Sequence, residues 1–221
     1  MSELLLLALL GGLVAVDGVA AVQSVVSRPL VAGWLAGLVL GEPLLGAEVG
    51  LLLELYILVS VPSGGGRYPE GGTAAVVAVA AAAAVAGTAA ALAVGVAAGL
   101  GTGWLAAQSQ VGMRHWNERG ADTAEHHLHV REVNRAQGLG LALDFGRGAA
   151  LSGLGVGAVR LLAPLLASEW PLGTGETSIL VLLGAFVSLG ILLRAVAESR
   201  TRAVLFGAGL VAGTLVLGGW P

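Results

Sequence analysis

SRPLVAGWLAGLVLGEPLLGAEVGLLLELYILVSVPSGGGRYPEGG, residues 27–72, is the stretch on which the fold turns. It opens on Arg28-Pro29, runs through an apolar segment at 30–40, breaks at Glu42-Pro43 and resumes as a second apolar run at 44–61. Proline is tolerated in the first turn of a helix, where its missing N–H costs nothing, but it forbids a helix from continuing through it. Each proline therefore starts a helix, and Pro43 also ends the one before it. A bilayer crossing needs about 20 apolar residues, so 30–40 is too short to cross. A short, broken apolar segment is how a discontinuous or re-entrant helix looks in sequence, and in membrane transporters such segments point to the substrate site. The glycine-rich turn PSGGGRYPEGG at 62–72 cannot be helical. Irregular backbone at membrane depth persists only where it is buried in protein or lines a cavity.

The rest of the chain agrees. Hydrophobic residues make up 56% and charged ones 11% of the 221 residues, with mean hydropathy +0.88. That composition belongs to the membrane class. Further apolar runs cover 3–22, 73–107, 149–167, 179–193 and 203–217, and the long one at 73–107 has room for more than one pass. About six to eight membrane segments are expected. The runs are continuous and rich in Ala, Leu, Val and Gly, without the alternation of barrel strands. The expected fold is all-α, a polytopic membrane helical bundle with discontinuous or re-entrant helices and a glycine-rich turn. Glu3 stands where a secretory signal needs basic residues, so the N-terminal run reads as the first membrane segment.

One sustained polar stretch, 108–135, holds four of the eleven arginines in a chain without lysine. Arginine bias assigns it to the cytoplasm, together with the turn carrying Arg194, Arg200 and Arg202. The expected organisation is a single transmembrane transport domain over 1–221. It comprises N-terminal helices with the candidate site at 1–107, a cytoplasmic polar segment at 108–135 and C-terminal helices at 136–221. His115, Glu118, Asp122, Glu125, His126, His127 and His129 contain no pair of histidines four apart, so the segment reads as a solvated helix and no metal is expected. The chain has no cysteine, which excludes disulfides and thiolate sites, and its net charge of −3 gives no reason to expect nucleic acid. Gly153, Gly155 and Gly157 lack the preceding strand and following acid of a dinucleotide site. No cofactor is expected.

Polar groups inside the apolar runs are the candidate site. Asp17 and Gln23 interrupt the first run, and Glu48 and Glu54 the third. A carboxylate at membrane depth costs about 2.5 to 3.5 kcal/mol, so it should have a partner or a task. Ser63, Glu70 and the bare backbone of Gly64, Gly65 and Gly66 suit a neutral polyhydroxylated ligand, whose hydroxyls both donate and accept. Arg67 is a counter-ion candidate for Glu54 or Glu70, or else a ligand-binding arginine. Glycines at 33, 37 and 41, at 46 and 50, and at 95, 99 and 103 recur every fourth residue, a pattern that lets membrane helices pack backbone to backbone.

The order of these features resembles the IIC subunit of the mannose/fructose/sorbose family of bacterial phosphoenolpyruvate-dependent sugar phosphotransferase systems. In that family Ser-Arg-Pro-Leu-Val leads through Gly-Leu-x-Leu-Gly-Asp to Leu-Glu-Leu and a glycine turn ending in Pro-Asp. Here Glu42 and Glu70 stand where aspartates are usual, and Arg67 adds a charge to the turn. The likeness covers about 17–72, with a weaker match at RGADTAEHHLHV, residues 119–130. It implies that Asp17, Gln23, Glu54, Ser63, Gly64, Gly65, Gly66 and Glu70 bind substrate, and that Arg28, Pro29 and Arg67 are structural neighbours of the site. It implies a sugar-translocating permease subunit with no catalytic residue of its own, in the bacterial inner membrane. Its partners would be a IID membrane subunit, soluble IIA and IIB phosphocarriers, a sugar and the lipid bilayer, in an oligomer. The rival expectation is a non-catalytic membrane scaffold, or a transporter subunit uncoupled from phosphoryl transfer.

Overall fold

The structure, a computed structural model, describes residues 2–19, 23–58, 60, 67–124, 130–196 and 198–218. Among these the regular secondary structure is α-helix throughout: α1 (Glu3–Val19), α2 (Pro29–Leu40), α3 (Pro43–Ile57), α4 (Gly71–Ala84), α5 (Ala91–Ala124), α6 (Val130–Ser168), α7 (Thr174–Val196) and α8 (Ser199–Gly218). The turn residues Ser63, Gly64, Gly65 and Gly66, and the histidines at 126, 127 and 129, lie outside the described residues.

Pro29 and Pro43 each sit in the first turn of their helix, as the sequence requires. Between α2 and α3 the chain reverses at Gly41, whose φ of 78° is the left-handed conformation that glycine adopts without cost. Gly41 therefore caps a helix and does not pack one. The other members of its series behave as expected. A Cβ on Gly33 would lie 2.6 Å from the Gly46 carbonyl oxygen, and one on Gly50 would lie 3.0 Å from Leu30 Cα. The two backbones touch along a glycine seam. At about 1.5 Å per residue, the 12 residues of α2 rise about 18 Å, short of a crossing of about 30 Å.

The apolar run 73–107 divides into two helices, as its length allowed. α4 ends at Ala84, and α5 begins at Ala91 after a turn containing Gly87 at φ 79°. α4 is the central post of the bundle. Every residue from Gly72 to Ala82 is buried, and α4 packs against α1, α2, α3, α5 and α6. A helix apolar on all sides belongs in a core, and its alanines and valines are small enough to admit five neighbours at once. On α5, Gly95 and Gly99 meet Ala82 and Ala78 of α4. On α6, Gly153 meets Ala8 of α1 and Gly155 meets Val77 of α4, so these two serve helix packing, while Gly157 faces open space.

Three helices are long and apolar enough to cross a membrane among the described residues, over Ala91–Trp116, Asn134–Ser168 and Thr174–Ala195. The polar stretch 108–135 is thus not separate from the spans. Its described residues, 108–124 and 130–135, form the end of α5 and the start of α6, helices of 34 and 39 residues. The outer faces of α6, α7 and α8 are apolar and exposed, with Leu161, Leu165, Leu183, Phe186 and Phe206 each more than half accessible. Such continuous apolar surface needs lipid or another membrane protein over it.

Candidate functional site

Four helix ends meet beside the α2–α3 hairpin and leave a cavity of about 690 Å³. The end of α1 supplies Val14, Asp17 and Gly18. The entry to α2 supplies Gln23, Ser24, Ser27, Arg28 and Pro29. The end of α3 supplies Glu54, Ile57, Leu58 and Ser60, and the entry to α4 supplies Tyr68, Pro69, Glu70, Gly71 and Gly72. Residues spread over 59 positions of sequence are joined because each lies where a helix starts or stops.

The first turn of a helix leaves its N–H groups without intrahelical partners and carries partial positive charge. Two such ends, of α2 and α4, open on this cavity. Glu54 answers the first: its Oε2 accepts from the Leu30 N–H at 3.4 Å, and its Oε1 accepts from Arg28 Nη1 at 3.3 Å. The α4 entry is packed by close approach. A Cβ on Gly71 would lie 2.7 Å from Pro29 Cγ, and one on Gly72 would lie 2.8 Å from Val14 Cβ. Those two glycines let the α4 N-terminus come up against α1 and α2.

Asp17 has a structural occupation. Its Oδ1 accepts from the Ser24 N–H at 2.9 Å and from Ser24 Oγ at 2.8 Å, and its Oδ2 accepts from the Ser27 N–H at 2.9 Å. The carboxylate thereby ties the loop before α2 to the end of α1. Within that loop Gln23 adopts φ 48°, a conformation rare outside Gly, Asn and Asp. Its side chain is exposed at the cavity.

Glu70 is buried, and its counter-ion is Arg147 of α6: Arg147 Nη1 lies 2.8 Å from Glu70 Oε2. The same guanidinium meets Asp144 Oδ1 through Nε at 3.2 Å and Ser109 Oγ through Nη1 at 3.1 Å. Arg67 therefore serves neither carboxylate. Glu54 takes Arg28 and Glu70 takes Arg147, while Arg67 is exposed and does not line the cavity. Glu48 lies on α3 away from the cavity lining. Sequence reading missed Arg147 because it stands 77 positions from Glu70, ahead of an apolar run. The signal available was Asp144 and Arg147, three apart on one helix face at the start of that run.

Among the candidate residues described, Asp17, Gln23, Arg28, Pro29, Glu54 and Glu70 converge on one cavity. The cavity offers carboxylates, an amide, hydroxyls and helix-terminal N–H groups around an apolar floor. With apolar outer faces and helices broken at a polar cavity, the chain is a multi-pass membrane protein. It belongs to the family whose model is described as the PTS system sorbose-specific IIC component, matched over residues 1–158. That match extends past Arg147, well beyond the 17–72 stretch that carries the resemblance in sequence. A solved structure described as "Structure of membrane protein" is similar over 99% of this chain and 91% of the other, with TM-score 0.74 and 18% identity. At that identity the likeness shows the shared fold. No curated protein matches the chain.

Proposed function

We propose that this chain binds a hexose or amino sugar in the cavity at the four helix ends and passes it inward for phosphorylation by a partner. The carrying observation is the convergence of Gln23, Glu54 and Glu70 with the α2 and α4 N-termini on a single space of about 690 Å³. Pyranose hydroxyls need both donors and acceptors, and here carboxylates and the Gln23 amide oxygen accept while the amide and helix-terminal N–H groups donate. The apolar faces of Val14, Ile57 and Tyr68 suit the C–H surface of a sugar ring.

In this reading Asp17, Arg28 and Pro29 hold the shape of the site, and Ser63, Gly64, Gly65 and Gly66 contribute backbone and a hydroxyl. Arg67 stays at the rim. The chain supplies no nucleophile. Phosphoryl transfer occurs on a IIB protein charged by IIA, and a IID subunit covers part of the exposed apolar surface in an oligomer of the bacterial inner membrane. The polar ends of α5 and α6 face the cytoplasm, by their arginine content.

The test is sugar binding by calorimetry to the chain copurified with a IID subunit, across mannose, fructose, sorbose and N-acetylated hexosamines. Saturable binding that Glu54→Gln or Gln23→Ala weakens supports the site. Binding unchanged in both variants removes the site assignment. A folded, assembled complex that binds none of these sugars leaves the scaffold reading.

A further inference from the structure

The cavity at the four helix ends is not electrically neutral. Its lining carries three carboxylates, Asp17, Glu54 and Glu70, and a single guanidinium, Arg28. Directly behind the lining Arg147 pairs with Glu70, but its Nε also lies 3.2 Å from Asp144 Oδ1, so that buried cation is matched by a further anion. Two negative charges remain unbalanced around the space. The residues that join the lining segments in sequence, 20–22 and 59–66, have no ionisable side chain, and Arg67 is exposed outside the lining. Helix ends do not restore the balance. The N-termini of α2 and α4 bring partial positive charge, and the C-termini of α1 and α3 bring partial negative charge of the same size.

Helix N-termini and arginine are the features that elsewhere hold a phosphate. Here a carboxylate has already taken each of them. Glu54 spans the α2 entry, with Oε1 3.3 Å from Arg28 Nη1 and Oε2 3.4 Å from the Leu30 nitrogen. Glu70 is the N-cap residue of α4, which sets a full negative charge beside the half positive charge of that helix end. Among the described residues, Glu70 Oε1 is also the one buried side-chain atom of the lining without a hydrogen-bond partner. It is an acceptor. A sugar hydroxyl or an ammonium group can donate to it, whereas a phosphate dianion offers only acceptors.

We propose that the cavity accepts a sugar in its neutral or cationic form and rejects its phosphate ester, so that phosphorylation itself expels the product. This rests on the sugar-permease reading and adds the charge selectivity of that site and the residues that set it. Transfer of a phosphoryl group to a sugar hydroxyl, with release of the hydroxyl proton, takes the ligand from zero charge to about −2 at neutral pH. A cleft lined by one sign of charge between low-dielectric walls concentrates its field on whatever enters. The free sugar is indifferent to that field and the ester is repelled by it. Asp17, Glu54 and Glu70 thereby keep the product from returning to the site it left.

The first measurement needs no sugar. Ser60 lines the cavity, is half-buried, and its hydroxyl makes no hydrogen bond among the described residues. Ser60→Cys is nearly isosteric and places the sole thiol of the chain there. The detergent-solubilised protein, copurified with a IID subunit, is labelled at low salt with trimethylammonium-ethyl and with sulfonatoethyl methanethiosulfonate. Each rate is divided by that of the same reagent with a free thiol in solution. The cationic reagent should then be favoured by about tenfold or more, and the preference should shrink as salt rises. Glu54→Gln, which removes one carboxylate and frees Arg28, should cut the preference severalfold. Equal corrected rates, or faster labelling by the anion, overturn the proposal.

The second measurement is calorimetric titration of the same complex, without the cysteine, using matched pairs: mannose and mannose 6-phosphate, fructose and fructose 6-phosphate, glucosamine and glucosamine 6-phosphate. A free sugar that binds should do so about a hundredfold or more tighter than its ester. Glu54→Gln should narrow that gap, even as it weakens the free sugar. An ester that binds within about threefold of its free sugar overturns the proposal. Cation-selective labelling in a complex that binds none of the free sugars removes the permease reading instead, and leaves the charge of the cavity as found.

Discussion

Asp17 offers a quantitative test of how the site is built. Its carboxylate accepts three hydrogen bonds, two from backbone N–H groups and one from the Ser24 hydroxyl. Hydrogen bonds to an ionised group contribute about 1.5–3 kcal/mol each, and they are not additive because the three share one anchor. Asp17→Ala should therefore cost about 3–5 kcal/mol, since it also strands two N–H groups in a half-buried loop. Asp17→Asn keeps one oxygen for Ser24 but turns an NH2 toward the Ser27 N–H, so one bond is lost to a donor facing a donor, for about 2 kcal/mol. Ser24→Ala removes a single hydroxyl bond and should cost about 1 kcal/mol. The order Asp17→Ala, Asp17→Asn, Ser24→Ala should appear in thermal unfolding of the detergent-solubilised protein, followed by tryptophan fluorescence. Sugar binding should fall in step with stability, because Asp17 shapes the loop that carries Gln23. An Asp17→Ala protein that melts like the unmodified chain yet binds no sugar would refute this reasoning, and would make Asp17 a direct sugar contact.

Gln23→Gly should separate strain from recognition. Glycine adopts φ 48° freely, so stability should hold or rise by about 1 kcal/mol while sugar affinity drops; a calorimetric titration alongside a melt decides it. Gly46→Leu should prevent accumulation of folded protein, because its Cβ would collide with the Gly33 carbonyl oxygen and lie 2.8 Å from Gly37 Cα across the α2–α3 seam; size-exclusion profiles after solubilisation show the outcome. Tyr56→Phe deletes the hydrogen bond to the Val181 carbonyl, 2.9 Å, that joins α3 to α7, and should lower stability by about 1 kcal/mol without changing sugar affinity. Glu3→Gln removes an ion pair with Arg160 that is 59% and 40% exposed, and the melting temperature should not move measurably.

What the sequence made legible, it did through backbone chemistry. Arg28-Pro29 and Glu42-Pro43 state where helices begin and end in terms no tertiary contact can override, and the structure starts α2 and α3 at those two prolines. The glycines at 33, 37, 46 and 50 announce a close pair of backbones, and that pair is the hairpin. Because the polar residues sit at those same breaks, the cavity follows: Asp17, Gln23, Glu54 and Glu70 are close in space since each flanks a helix end. The break between α4 and α5 was less visible, for 73–107 is apolar throughout and only Gly87 and its left-handed φ mark the turn.

Long-range pairing is where local reading fails. Arg67 stood nearest to Glu54 and Glu70 in sequence, so it was the natural counter-ion. In the bundle, however, a carboxylate's neighbours are set by which helices cross beside it. α4 packs against α6, and that crossing brings Arg147 to Glu70 across 77 positions. The helix crossing in turn depends on the small side chains of α4, from Ala74 to Ala82, which let α6 approach through Gly155. A run that looked like featureless membrane filler thus determines which charges meet. Enlarging it, for instance by Val77→Phe, should part α4 from α6 and break the Glu70–Arg147 pair without touching either residue. Arg147→Met added to Val77→Phe should then lower the melting temperature no further, because the pair is already broken. A clear further drop in the double variant would mean the pair is held by something other than the α4–α6 crossing.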